Sequence, residues 1–237
     1  MIYWLVQSDA DLPAGTDWLT PAEASRLATL RFPKRRHDWL LGRWTAKRLL
    51  QDVIAQTELI HAPLSELEIA TCPDGAPLAR WTPPAGPRRQ FTLSLSHSGD
   101  SAFGALILGQ AAALGADLER IAPRPEAFSA AYFTDAELAQ VDCAPARLHD
   151  QLITGLWSAK EAALKAVRLG LTVDTRAVEC RLAPPSTALA SWATFSVRWD
   201  AQRVPRPLPA LQGWWRLAGD FVVTVAAPAA ASVGVTL

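Results

Sequence analysis

One pattern occurs twice along this chain, in the same order and at nearly the same spacing. Thr20-Pro21-Ala22-Glu23 reads as a helix start, with threonine as N-cap, proline at the first helical position and glutamate completing a capping box. Thr134-Asp135-Ala136-Glu137 carries the same signature. His37-Asp38 is followed by Trp44-Thr45-Ala46-Lys47, and His149-Asp150 by Trp157-Ser158-Ala159-Lys160. Each unit then runs into an apolar helical pattern, with Leu49 and Leu50 in one and Ala162, Ala163 and Leu164 in the other. Agreement over several elements predicts an internal duplication. The expected fold class is α/β (α+β): two similar halves, 1–110 and 111–237, related by a pseudo-twofold axis. The ligand site is expected in the cleft between them.

Hydrophobic periodicity and turn residues give a coarse element order. The first half reads as strand 2–7, helices 21–31 and 36–55, and strands 65–70, 90–97 and 102–108. The second reads as strand 111–119, helices 126–131, 135–140 and 149–168, and strands near 176–182, 191–199 and 213–226. A tight hairpin is expected to join 102–108 to 111–119 around Gly109-Gln110. The Pro- and Gly-rich stretches Trp81 to Arg89 and Arg203 to Pro209 read as surface loops.

Half of the 237 residues are hydrophobic, enough for a substantial core. Lys+Arg and Asp+Glu both number 23, so no global basic field argues for nucleic acid. Cys72, Cys143 and Cys180 are widely spaced and odd in number, which disfavours a zinc site or disulfide scaffold and fits a reducing compartment. The opening Met1 to Val6 lacks the basic flank and long apolar core of a signal peptide and reads as a strand. The longest apolar stretches are interrupted, as at Gly109-Gln110 and Pro228, so no membrane span is expected. A cytoplasmic protein that binds neither membrane nor nucleic acid is the expectation.

The chemistry-bearing residues cluster in the second half. In Gly115-Ala116-Asp117-Leu118-Glu119 the period of two puts both carboxylates on one face of a strand. Buried there they need a cation; a strand that has already reached solvent is the plainer account of the pair taken alone. In Trp157-Ser158-Ala159-Lys160-Glu161-Ala162-Ala163-Leu164-Lys165 the positions 157, 161 and 165 share a helix face. A Glu–Lys pair at this spacing is also an ordinary helix stabiliser, worth roughly 0.2–0.5 kcal/mol. Together, three carboxylates and a lysine suit Mg²⁺ and phosphoryl chemistry. Ser96-His97-Ser98 ends an alternating strand, either as a phosphate-holding terminus or as a capped turn with an exposed histidine. Arg36, Arg43 and Lys47 share a helix face, as an anion site or a solvated surface. No Walker A loop, dinucleotide glycine fingerprint or G-x-S-x-G elbow is present.

In order and spacing, Ser96-His97-Ser98, Gly115 to Glu119 and Trp157 to Lys165 resemble the 4′-phosphopantetheinyl transferase superfamily of the surfactin (Sfp) type. The family signature is an (I/V)DxE-type acid pair followed by WxxKExxxK, and Ala116 stands where a branched aliphatic residue is common. Leu41-Gly42-Arg43 and Gly170-Leu171 also look like family features. The resemblance implies a pseudo-symmetric protein with coenzyme A and Mg²⁺ between its halves. Asp117, Glu119 and Glu161 would hold the metal, and Lys165 would sit near the reacting phosphate. Arg43 and His97 match positions that contact coenzyme A phosphates, with Ser96 beside them. Gly75 and Pro77 match a Gly-Lys-Pro segment that contacts coenzyme A in relatives; here Ala76 replaces the lysine, and Arg80, Arg88 or Arg89 could substitute for it. The first half would supply phosphate contacts, and the second the metal and catalytic residues.

The implied reaction moves the phosphopantetheine arm from coenzyme A to a serine of an apo acyl or peptidyl carrier protein, as in secondary-metabolite biosynthesis. Adenosine 3′,5′-bisphosphate is released. Glu161, or a water on the metal, would take the serine proton, and Lys165 would assist the leaving group. A monomer carrying both halves suffices. Two alternatives share these residues: a Mg²⁺-dependent phosphodiesterase using water, and a non-catalytic coenzyme A or carrier-protein binding module.

Overall fold

A computed structural model describes residues 1–83, 86–109, 113–184 and 192–234. The chain divides into two compact units, Met1–Ala112 with Ser232–Leu237, and Ala113–Ala231.

The first unit contains β1 (Ile2–Ser8), α1 (Pro21–Ala28), α2 (Pro33–Glu58), β2 (Glu68–Thr71), β3 (Pro77–Trp81), β4 (Arg89–Ser98) and β5 (Ser101–Leu108). Its antiparallel sheet runs β1-β5-β4-β3-β2. Proline in the first turn starts α2, and Leu59 ends it in the left-handed region at φ 57°. Leu49, Leu50, Val53 and Ile54 on α2 form one core with Ile69, Ala79, Phe91, Leu93 and Leu106 of the sheet. Residues 232–234 return to this unit. Val233 bridges Ile2 in parallel, and the Trp4 indole donates to Gly234 O at 2.9 Å.

The second unit contains β6 (Gly115–Arg120), α3 (Glu126–Tyr132), α4 (Asp135–Asp142), α5 (His149–Ala166), β7 (Val178–Leu182), β8 (Ala193–Trp199), β9 (Leu211–Ala218) and β10 (Phe221–Pro228). Its antiparallel sheet runs β6-β10-β9-β8-β7. This is the strand order of the first unit, and each sheet packs against one long helix, α2 or α5. The α/β duplication expected from the repeated pattern is therefore present in the topology.

Three local expectations are corrected. The hairpin between 102–108 and 111–119 does not form: β5 is flanked by β1 and β4, and β6 pairs with β10. Both edges of β5 are already hydrogen-bonded, so none is open to β6. Gln110 to Ala112, part of that expectation, lie outside the described residues. The single strand expected at 213–226 is the hairpin β9–β10, with Ala218 opposite Phe221 and Gly219 at φ 58° in its two-residue turn. The loop expected from Trp81 begins after β3, a strand the sequence reading omitted; Pro84 and Ala85 in that loop lie outside the described residues. Among the described residues no helix is long and apolar enough to cross a membrane.

Candidate active site

The second repeated motif fixes its helix before it presents any chemistry. Lys160 on α5 is fully buried. Its ammonium lies 2.8 Å from Glu137 Oε2 and donates to Thr175 O at 3.0 Å and Val178 O at 2.6 Å. Glu137 also accepts from Thr134 N at the start of α4 and, at 2.8 Å, from Cys180 N on β7. One ion pair thus ties α4, α5 and β7 together. The first unit holds the same device. Lys47 is 2.5 Å from Glu23, which accepts from Thr20 N and from Ile69 N on β2. Lys47 is therefore neither part of an exposed anion site nor on a solvated face: burial requires its charge to be paired.

With α5 anchored, the next residue faces β6. Gly115 makes this close approach possible, since a Cβ there would lie 1.8 Å from Ala162 O. Alternation along β6 then brings Asp117 and Glu119 to the same helix. Lys165 donates to Asp117 Oδ1 at 2.5 Å and lies 3.8 Å from Glu161 Oε2. The Trp157 indole donates to Glu119 Oε1 at 3.1 Å. The spacing of 157, 161 and 165 does put these side chains on one face, and the solvated strand end is excluded for Asp117, which is 3% exposed.

Arg124 completes the cluster, and sequence reasoning missed it. It donates to Glu119 Oε2 at 3.1 Å and stacks over Phe128, its guanidinium carbon 4.8 Å from the ring centroid. Phe128, Tyr132 and Trp157 make a group of tilted and edge-on rings beside it. The available signal was Pro123-Arg124-Pro125, which holds a cation on a stiff backbone five residues after an acid.

Burial, then repulsion from Asp117, pushes Glu119 above the usual carboxylate range, against Arg124 and Trp157. Burial also raises Glu161, with Lys165 opposing and both neighbouring acids adding to the rise. A carboxylate whose folded pKa is raised is protonated more readily in the folded state. Stability is then full below the ordinary value of 4.5 and falls as pH rises through the raised one. Glu161→Gln is accordingly expected to raise the melting midpoint at pH 7 in the presence of chelator, with the gain vanishing below pH 4.5. Midpoints measured from pH 4 to 8 test this; an unchanged or lower midpoint at pH 7 refutes it.

Equivalent positions in the first unit carry different chemistry. Ser8 pairs with the first residue of β5 as Arg120 pairs with the first residue of β10, so Leu5 and Gln7 correspond to Asp117 and Glu119. With Lys47 matched to Lys160, Arg48 and Asp52 occupy the places of Glu161 and Lys165, and themselves form an i,i+4 pair at 3.6 Å. The buried Glu–Lys device is in both units and the acid cluster in one. Lys160 is therefore assigned to architecture.

The remaining candidates lie in the first unit. Arg43 on α2 is 9% exposed, donates to Thr71 Oγ1 at 3.1 Å and packs over Trp39; its buried Nε has no hydrogen-bond partner among the described residues. Burial lowers its pKa from the arginine value, with Glu23 opposing. Gly75, at φ 86°, turns β2 into β3, and Pro77 opens β3 opposite Thr71. Ser96 and His97 lie on β4, with the His97 Nε2 atom 3.6 Å from Asp38 Oδ2. The arginines that could replace the lysine absent at Ala76 are paired: Arg80 and Arg88 with Glu68, Arg89 with Glu58.

Carboxylate oxygens of Asp117, Glu119 and Glu161 are the donor type a hard divalent cation takes. They are not preassembled: among the described residues no group of three or more His, Cys, Asp or Glu side chains is arranged to hold a metal. Lys165 stands between Asp117 and Glu161 instead, and Arg124 holds Glu119. The donor chemistry fits; the arrangement must tighten.

Residues 113–226 match the family model of the 4′-phosphopantetheinyl transferase superfamily. The curated 4′-phosphopantetheinyl transferase psf-1 of Bacillus pumilus is 29% identical over 147 residues, which span 60% of this chain and 59% of that protein. Two solved structures resemble the chain weakly. Holo-[acyl-carrier-protein] synthase (AcpS) of Thermotoga maritima is 19% identical at a TM-score of 0.38, over 56% of this chain and 74% of its own. The apo-ACPS structure of Chronobacterium ammoiniagenes is 20% identical at 0.36, over 45% and 93%. Both scores are too low to bear on the fold.

Proposed function

We propose that this protein transfers the 4′-phosphopantetheine group of coenzyme A to a serine of an apo acyl or peptidyl carrier protein, with Mg²⁺ as cofactor. The observation that carries this reading is the convergence of Asp117, Glu119, Glu161 and Lys165 between β6 and α5, inside the stretch that matches the family. The serine Oγ attacks the phosphorus that bears the pantetheine. The bridging P–O bond breaks, and adenosine 3′,5′-bisphosphate leaves with the electron pair. When bound, Mg²⁺ supplies Lewis-acid polarisation of the phosphate oxygens. Glu161, made more basic by burial, would accept the serine proton. Lys165 offers its ammonium to the charge that develops on the leaving phosphate. In the first unit, Arg43 and His97 are assigned to coenzyme A phosphates; the buried Nε of Arg43, without a hydrogen-bond partner among the described residues, supports the first of these.

A panel of apo carriers incubated with coenzyme A and Mg²⁺ should gain one phosphopantetheine each, read by intact mass. Coenzyme A cleavage of equal rate without any carrier would replace this reading with a phosphodiesterase. Arg43→Ala should raise the KM for coenzyme A about ten- to a hundredfold with little change in kcat, because a charge-assisted contact away from the reacting atoms is worth roughly 1.5–3 kcal/mol of uniform binding. If kcat falls instead and KM holds, Arg43 acts at the reacting phosphate.

A further inference from the structure

We propose that Arg124 is a counter-cation of Glu119 that couples divalent-cation binding to arrival of the substrate's diphosphate, an inference that rests on the function proposed above. Both oxygens of Glu119 are engaged, Oε1 by the Trp157 indole and Oε2 by Arg124. The Arg124 side chain is only 25% exposed and its guanidinium is held over Phe128, so it is not a loosely solvated surface charge. The prolines on either side restrict its backbone.

Charge decides what the cluster accepts. Asp117, Glu119 and Glu161, when ionised, bring three negative charges. Arg124 and Lys165 bring two positive ones. A divalent cation arriving alone turns a net single negative charge into a net positive one. In a half-buried site, repulsion between cations is screened less than in water. It must also compete with Arg124 for Glu119 Oε2. A diphosphate arriving with the metal restores the balance and gives the guanidinium a new acceptor. With Arg124 removed, two positive charges on the metal meet a net two negative charges, and the cation binds without help. Arg124 thereby makes the metal weakly held until coenzyme A is present.

The test is calorimetric titration of Mn²⁺ into the whole chain, with and without coenzyme A, after subtracting a coenzyme A blank. For the wild type, coenzyme A should tighten Mn²⁺ binding strongly. Arg124→Gln should bind Mn²⁺ alone about tenfold more tightly than wild type, and the tightening by coenzyme A should shrink by a similar factor. Arg124→Lys, which keeps the charge, should retain most of the coupling. If Arg124→Gln binds Mn²⁺ alone no more tightly than wild type, the proposal is overturned while the metal reading stands. If the wild type binds no Mn²⁺ even with coenzyme A, the metal reading falls and this proposal falls with it.

Discussion

Lys165→Ala is expected to slow phosphopantetheine transfer by about 10²–10⁴ while changing coenzyme A affinity far less. An ammonium that meets charge developing on the leaving phosphate stabilises the transition state more than the bound substrate, so its loss appears in kcat. The same ammonium has a second role. It lies 2.5 Å from the buried Asp117, which loses that counter-charge in the variant. The melting midpoint should therefore drop when chelator is present. Added Mg²⁺ should restore the midpoint, because a cation bound only by the folded state stabilises it. It should not restore the rate. Recovery of both by Mg²⁺ would reduce Lys165 to an electrostatic prop, and a normal kcat in chelator-free buffer would remove it from the mechanism.

The second large effect is on folding. Breaking the buried pair by Lys160→Met should cost on the order of 3–5 kcal/mol, since Glu137 is left charged and 1% exposed. That is a large part of the roughly 5–15 kcal/mol that holds a domain together. Lys47→Met should cost a comparable amount in the first unit, where the same pair occurs without the acid cluster. Replacing both partners, as in Lys160→Met with Glu137→Leu, should recover part of the loss, because no uncompensated charge remains. Urea unfolding of the three proteins decides it. A Lys160→Met protein of wild-type stability and no activity would place Lys160 in the catalytic group.

The duplication was legible because capping boxes and the Trp-x-x-Lys helices are local signals, and their order survives whatever the strands do. The acid face was legible for the same reason: periods of two and four are properties of single elements. Partner choice between strands was not. Ala102 to Leu106 and Gly115 to Glu119 look like neighbours in sequence, yet strand pairing is settled by which edges remain open. β5 has none. The β9–β10 turn was missed because Ala218-Gly219-Asp220 lies in a nearly continuous apolar stretch, where one glycine was outweighed by its surroundings. Lys47 and Lys160 look like surface or catalytic lysines until Glu23 and Glu137, far away along the chain, are brought beside them. Arg124 escaped because its partner is identified only by how the backbone turns between Pro123 and Pro125.

The return of residues 232–234 to β1 also sets a timetable for synthesis. Trp4 and its acceptor Gly234 are 230 positions apart. At about 5–20 residues per second, a ribosome needs roughly 10–50 s to make the intervening chain. The other strands of the first sheet emerge early in that interval, while the outer edge of β1 waits for its last neighbour. During that time the nascent protein displays a nearly finished sheet whose β1 edge is still uncovered, the kind of surface that recruits another strand or a chaperone.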